Sequence, residues 1–231
     1  MDSHSGPLRL NKHLALVLGV SRREADDLIA SGATAINGTP AVLGARMNAA
    51  DTITVHGEPL AATPQHICIA FNKPAGYVCS RRAQGSAPTV YDLLPAQYRS
   101  LKTVGRLDKD SSGLILLTND GDFAQRMTHP SFYKVKAYNL QLSAPLAPLH
   151  HQMINDFGVE LADGPSRLTL MPLNDTDKTQ WQVTMHEGRN RQIRRTFAAL
   201  GYTVTALHRI QFGGYSLGDI KSGEHKLVDI Q

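Results

Sequence analysis

The chain has 231 residues, 42% apolar and 19% charged, with 19 glycines and 12 prolines, so it can bury a sizeable core and is neither disordered nor fibrous in composition. Apolar runs such as Gly113–Leu117 fall far short of the roughly 18–20 residues a membrane helix needs, and Met1-Asp-Ser-His-Ser-Gly-Pro7 has neither the basic nor the apolar region of a secretory signal; a cytoplasmic protein without membrane contact is expected. The net charge of +4 is uneven: five Lys/Arg face six Asp/Glu in residues 1–60, twelve face ten in 61–180 and seven face four in 181–231, which suits a polyanionic partner met mainly by the C-terminal part.

Residues 8–57 form a compact pattern. Leu10, Leu14, Val17 and Leu18 recur at helical spacing before Gly19. Ser21-Arg-Arg-Glu24 then has the form of a capping box, opening a helix with Ala25, Leu28 and Ile29 on one face that stops at Gly32. Thr34-Ala-Ile-Asn37-Gly38 carries a hairpin signal, Asp51–His56 alternates with period two, and the polar stretch 58–66 reads as a linker.

From Ile67 onward strands dominate. Ile67–Phe71, Gly113–Thr118, Lys134–Leu142, Arg167–Leu170, Trp181–Met185 and Thr203–Phe212 favour strand, and Gly121–His129, Leu149–Phe157 and Asn190–Leu200 favour helix. Irregular alternation of the two argues for an α+β domain with a mostly antiparallel, mixed sheet over residues 67–231. Cys68 and Cys79 form no Cys-x-x-Cys pair, so buried thiols are expected, and neither a disulfide nor a zinc site.

Three clusters could carry chemistry. Gly105-Arg-Leu-Asp-Lys-Asp-Ser-Ser-Gly113 places Asp108 and Asp110 beside Arg106 in a loop feeding an apolar strand, where burial near an arginine keeps a carboxylate ionised and nucleophilic; an Asp/Ser-rich turn capping a strand is the plainer reading. Asp108, Asp110, Ser112 and Gly113 also match the start of a calcium loop, but Asn119 stands where that loop needs a bidentate glutamate, and no metal is expected. A two-carboxylate glycosidase would need a distant partner, because residues two apart point to opposite faces of an extended segment.

The second cluster, Glu187-Gly-Arg-Asn-Arg-Gln-Ile-Arg-Arg195, has four arginines in seven residues. In a helix from Asn190, Ile193, Phe197 and Leu200 share the apolar face; Arg191 and Arg195 lie opposite, as a solvated or a phosphate-contacting face, while Arg194 sits on the flank, better placed to pair with a buried carboxylate. In the third, Lys134, Lys136 and Tyr138 share one face of a strand, where the phenol could stack on a base or simply pack.

Together these segments resemble the pseudouridine synthases of the RsuA type. Gly105-Arg-Leu-Asp-x-Asp-Ser-x-Gly-Leu114 is similar to that family's catalytic-aspartate motif, Asn72-Lys-Pro-Ala-Gly-Tyr-Val-Cys-Ser80 to its first motif, and Lys136-x-Tyr138 and Glu187–Arg195 to later ones. Leu207-His-Arg-Ile-Gln-Phe-Gly213 and Leu217–Glu224 resemble its C-terminal signature. Residues 8–57 are similar to the small RNA-binding module of ribosomal small-subunit protein four, though Ser31, Ala33, Thr34 and Thr39 stand near places where such modules often carry Lys or Arg.

The resemblance implies a cofactor-independent, monomeric isomerase acting on RNA, ribosomal before transfer RNA. It implies Asp108 as the initiating carboxylate, Tyr138 as the wall that holds the freed uracil and Arg194 as the cation orienting the carboxylate. RNA contacts are expected from Lys73, Arg106, Lys136, Arg189, Arg191, Arg195 and Arg209, and from Lys12, Arg22 and Arg23 of the N-terminal module. A non-catalytic RNA-binding or assembly protein on the same fold is the rival reading, disfavoured because the full aspartate, tyrosine and arginine set is present. Because the basic excess lies outside residues 1–60, removing them should leave RNA affinity largely intact in a filter-binding assay; a folded remainder that no longer binds would refute that use of the charge.

Overall fold

The computed structural model describes residues 6–81, 85–174 and 176–231; Met1–Ser5, most of the stretch read as lacking a secretory signal, lie outside them. The chain divides into two compact units, one ending at His66 and one running from Ile67 to Gln231.

In the first unit a short strand, β1 (Leu8–Arg9), leads into α1 (Leu10–Leu18) and α2 (Arg22–Ala30). The capping box is formed: Ser21 Oγ accepts from the Glu24 amide at 3.2 Å, and Glu24 Oε2 accepts from the Ser21 amide at 2.6 Å. Leu10, Leu14, Ala25 and Ile29 build the core. Leu18, expected on the apolar face of α1, is 40% exposed, because the helix ends there and its last turn is left uncovered. The strands β2 (Thr34–Ile36), β3 (Thr39–Pro40), β4 (Arg46–Met47), β5 (Ile53–Val55) and β6 (Glu58–Pro59) follow, with β3-β2-β5-β6 in one sheet and β4 paired to β1. Both tight hairpins turn through two residues with positive φ, Asn37-Gly38 and His56-Gly57, as a primed two-residue turn requires. The second turn corrects the linker boundary. Glu58 and Pro59 are not linker but pair with Val55 and Thr54.

The second unit is a nine-stranded sheet. Its elements in chain order are β7 (Cys68–Lys73), β8 (Lys102–Val104), β9 (Ser112–Thr118), α3 (Gly121–Thr128), β10 (Lys136–Leu142), α4 (Pro148–Gln152) continued by a wider π turn over Met153–Phe157, β11 (Val159–Leu161), β12 (Gly164–Ser166), β13 (Thr169–Pro172), β14 (Gln180–Met185), α5 (Gln192–Ala199), β15 (Val204–Phe212), β16 (Tyr215–Ser216) and β17 (His225–Leu227). The strand order is β13-β14-β10-β15-β9-β7-β17, with β16 on β15 and β8 on β9, while β11 and β12 form a separate hairpin. All these strand pairs are antiparallel except β15 with β9, so the expected α+β class holds.

Strands β7 and β9 are apolar over Cys68–Phe71 and Leu114–Leu117 because both their faces are covered. Ile69, Phe71, Ile115 and Leu117 face a large core with Leu140, Val183, Ile193 and Phe197, whereas Cys68, Ala70, Leu114 and Leu116 face a second core with Phe123, Met127 and Tyr215. Lys134 lies outside β10, so only Lys136 and Tyr138 of that trio are on the strand.

The parallel contact is tight. Gly113 has φ +102, and a Cβ there would lie 2.3–2.9 Å from three backbone atoms of Arg209. Gly113→Ala is therefore expected to destabilise the protein by at least about 3 kcal/mol, in the upper range for single substitutions. Gly121→Ala, at a helix start with open space around it, should be neutral or slightly stabilising. Paired urea denaturation curves check both.

Candidate active site

The loop between β8 and β9 carries Asp108 and is braced from below by the segment that follows β7. Lys73 is fully buried, and its Nζ donates to the carbonyls of Ser111 at 2.5 Å and Pro74 at 3.0 Å. The Gly76 amide donates to the Lys109 carbonyl at 2.7 Å. The Cys79 Sγ lies 3.4 Å from both the amide nitrogen and the carbonyl oxygen of Leu107, the residue before Asp108. Burial pulls the Lys73 amine below its ordinary value, with Cys79, Asp110 and Asp108 offsetting part of that shift.

A cleft of about 320 Å³ opens above this loop, lined by Arg106, Asp108, Ser111, Lys136, Tyr138, Arg189, Arg191, Arg194 and Arg209 among others. It is large enough for one nucleobase and its sugar and falls within the usual range for small-ligand sites. A second depression, of about 490 Å³, lies between Arg81 and Arg99; the carboxylate that lines it among the described residues, Asp92, is engaged with the Thr89 amide and hydroxyl.

Two carboxylates organise the arginine-rich segment. The Arg191 guanidinium donates to both Asp110 oxygens at 3.0 and 2.9 Å and lies 3.7 Å from Asp108 Oδ2. Arg194 donates to the carbonyls of Val204 at 2.6 Å and Asp110 at 3.0 Å; its Nε sits 3.3 Å from Asp110 Oδ2 as an ion pair without hydrogen-bond alignment. On the other side Asp163, in the turn between β11 and β12, takes Arg195 at 2.9 and 2.8 Å and Arg189 at 3.0 Å. Arg189 also donates to the carbonyls of Asp163, Gly164 and Pro165, and Gln192 to Ser166 Oγ and Glu187. The Arg191 hydrogen bonds hold the Asp110 carboxyl below the ordinary carboxylate range, and those of Arg195 do the same for Asp163. Burial and neighbouring Arg209 lower the Lys136 amine.

Comparison with known proteins decides the family. Residues 67–199 match the family model described as RNA pseudouridylate synthase. The ribosomal small subunit pseudouridine synthase A of Pasteurella multocida is 34% identical over 97% of this chain and 97% of its own length. The ribosomal large subunit pseudouridine synthase B of Bacillus subtilis is 32% identical over 94% of this chain and 90% of its own. A crystal structure titled pseudouridylate synthase superposes with a TM-score of 0.67 at 31% identity, covering 96% of both chains. The chain belongs to the RNA pseudouridylate synthase family. It is an isomerase that converts uridine to pseudouridine.

Against that family's pattern, the cleft brings together Arg106, Asp108, Lys136, Tyr138, Arg189, Arg191, Arg194 and Arg209. Several expectations change. Arg194, assigned by resemblance to orient Asp108, is anchored on Asp110 and Val204 instead, and the nearest cation to Asp108 among the described residues is Arg191. The reason is local: helix α5 begins at Gln192, two residues later than expected, after Arg191 takes a left-handed backbone (φ +46). Lys73, expected at RNA, is buried and spent on backbone carbonyls. Arg191 and Arg195 stay partly exposed, but neither is a free cation, since each holds a bidentate carboxylate. Arg209, also expected at RNA, is 3% exposed, with Nε on the Leu114 carbonyl at 2.7 Å and its guanidinium over the Phe212 ring; it lines the cleft wall opposite Tyr138 across β10 and β15. Arg106 stays exposed at the rim. In the first unit Arg22 and Arg23 are exposed, Arg22 reaching Asn11 at 3.4 Å, and Lys12 is half-buried.

Sequence reading missed Asp163 altogether. Nothing in its spacing marks it; four arginines in seven residues, which demand counter-charges, were the available signal. Because the Asp163 carboxyl is held below its ordinary value when folded, its stabilisation is fully present above about pH 4, where unfolded carboxyls are ionised, and is lost as pH falls through the lower folded value. Asp163→Asn should lower the melting temperature at pH 7, and the difference from wild type should shrink as pH falls below about 4. Melting curves across that range check it.

Proposed function

We propose that the chain isomerises a specific uridine of ribosomal RNA, with Asp108 initiating the reaction. The observation that carries this is an aspartate on a braced loop whose carboxylate lies 3.7 Å from a guanidinium yet accepts no hydrogen bond among the described residues. A carboxylate in that state has its lone pairs available. Tyr138, 8% exposed and lining the same cleft, forms the wall against which the detached uracil turns. The C1′–N1 bond breaks, the base rotates so that C5 faces the sugar, C5–C1′ forms, C5 gives up its proton and N1 gains one; nothing is oxidised and nothing leaves. The target must be extruded from its helix, since that bond is otherwise out of reach.

Ribosomal RNA is favoured because both named relatives are ribosomal synthases. One carries the small and the other the large subunit in its name at nearly equal identity, so identity does not choose between them. Phosphate contact falls to the more exposed cleft cations without a carboxylate partner within ion-pair distance among the described residues, Arg106 and Lys136, with Arg22, Arg23 and Lys12 of the first unit in support. The protein works in the compartment where ribosomal RNA is made.

Asp108→Asn should reduce turnover by about three orders of magnitude or more while leaving the fold intact. Carbodiimide-dependent primer-extension stops, mapped on ribosomal and transfer RNA from cells with and without the gene and then with the variant, would identify the uridine. Unchanged turnover in the variant would remove Asp108 from its role.

A further inference from the structure

Asp110 shares its arginine with Asp108. Arg191 spends both terminal nitrogens on Asp110, at 3.0 and 2.9 Å, and reaches Asp108 with only one of them, at 3.7 Å. We propose that Asp110 is a positioning residue that holds Arg191 beside Asp108 while keeping it from capping Asp108. The proposal rests on Asp108 being the initiating carboxylate.

The geometry gives the reason. An arginine fork binds a carboxylate best with two parallel hydrogen bonds, which occupy both oxygens. Were the Asp110 carboxylate absent, Arg191 would have Asp108 as the nearest remaining carboxylate, and the same two-point pairing would tie up the lone pairs the reaction needs. With Asp110 in place, Arg191 supplies charge to Asp108 without a hydrogen bond. Two arginines and two aspartates then sum to zero charge, so Asp108 needs no closer counter-ion. Arg194 completes the arrangement, its Nε at 3.3 Å holding the other side of the Asp110 carboxylate.

A role for the Asp110 side chain in merely folding the loop is a separate matter, and the contacts separate it. The loop is braced through backbone groups: Arg194 on the Asp110 carbonyl, Lys73 on the Ser111 carbonyl, Gly76 on the Lys109 carbonyl and Cys79 on Leu107. None of these uses the Asp110 carboxylate. Asp110→Asn therefore tests the side chain alone.

The test is single-turnover kinetics on ribosomal RNA isolated from cells lacking the gene, read by carbodiimide primer extension, with RNA affinity measured by filter binding. Asp110→Asn should slow the reaction about tenfold or more with RNA affinity within about threefold of wild type. Asp110→Glu, which keeps the carboxylate, should recover part of the rate. The deciding arm is Asp110→Asn/Arg191→Gln, which should react faster than Asp110→Asn alone, because the capping arginine is gone. A double variant as slow as or slower than Asp110→Asn overturns the proposal. So does Asp110→Asn with an unimpaired rate, whether or not its RNA affinity rises with a steeper salt dependence; that rise would make Asp110 a mask over a phosphate contact. Asp108→Asn runs alongside: turnover there would remove the initiating role itself, whereas an inactive Asp108→Asn beside a fully active Asp110→Asn would remove only the role of Asp110.

Discussion

The close approach of two parallel strands, β9 and β15, is the constraint on which the site depends. Gly113 lies so near the backbone of Arg209 that no side chain fits between them. In parallel register His208 and Arg209 sit beside Ser112 and Gly113, so the start of β15 runs alongside the loop that precedes β9. Arg194 joins the two segments by donating to the carbonyls of both Val204 and Asp110. Helix α5, which leads into β15, is thereby delivered to the aspartate loop. Segments some 80 residues apart in sequence become one wall of a cleft.

Within that wall, charge is largely balanced. Of the four arginines in the segment 187–195, two are held by Asp163 and two by Asp110. A basic run that in isolation suggests a phosphate-binding face is mostly an internal ion-pair lattice fixing the first turn of α5 to a hairpin on one side and a loop on the other. Being half-exposed, these pairs contribute more to orientation than to stability. The basic excess of the C-terminal part therefore translates into fewer free cations than its count of seven against four suggests.

Much of this fold was readable from local pattern. The capping box at Ser21, the turn at Asn37-Gly38 and the doubly covered strands of Ile67–Phe71 and Gly113–Thr118 all follow from short-range chemistry that tertiary contacts reinforce. What escaped is non-local. The strand Lys102–Val104 is too short to show a period, the hairpin Val159–Ser166 matters because its turn binds arginines about thirty residues later, and the choice of Asp110 over Asp108 by Arg194 depends on where α5 begins. Lys73 misled for a related reason: a lysine reads as a surface cation, and here its ammonium is buried beneath a loop and donates to two backbone carbonyls.

The braces also separate shape from reactivity. The aspartate loop is held by hydrogen bonds to its backbone from Lys73, Gly76, Cys79 and Arg194, leaving the Asp108 and Asp110 carboxylates for Arg191 and the cleft. Changing either carboxylate removes charge but not the loop. Gly113 is the opposite case, because its backbone forms both the strand contact and the end of the loop, so any side chain there disturbs fold and site together. The motif thus contains two kinds of requirement, steric at its glycine and electrostatic at its aspartates, and they fail by different routes: loss of folding in the first, and loss of rate in a folded protein in the second.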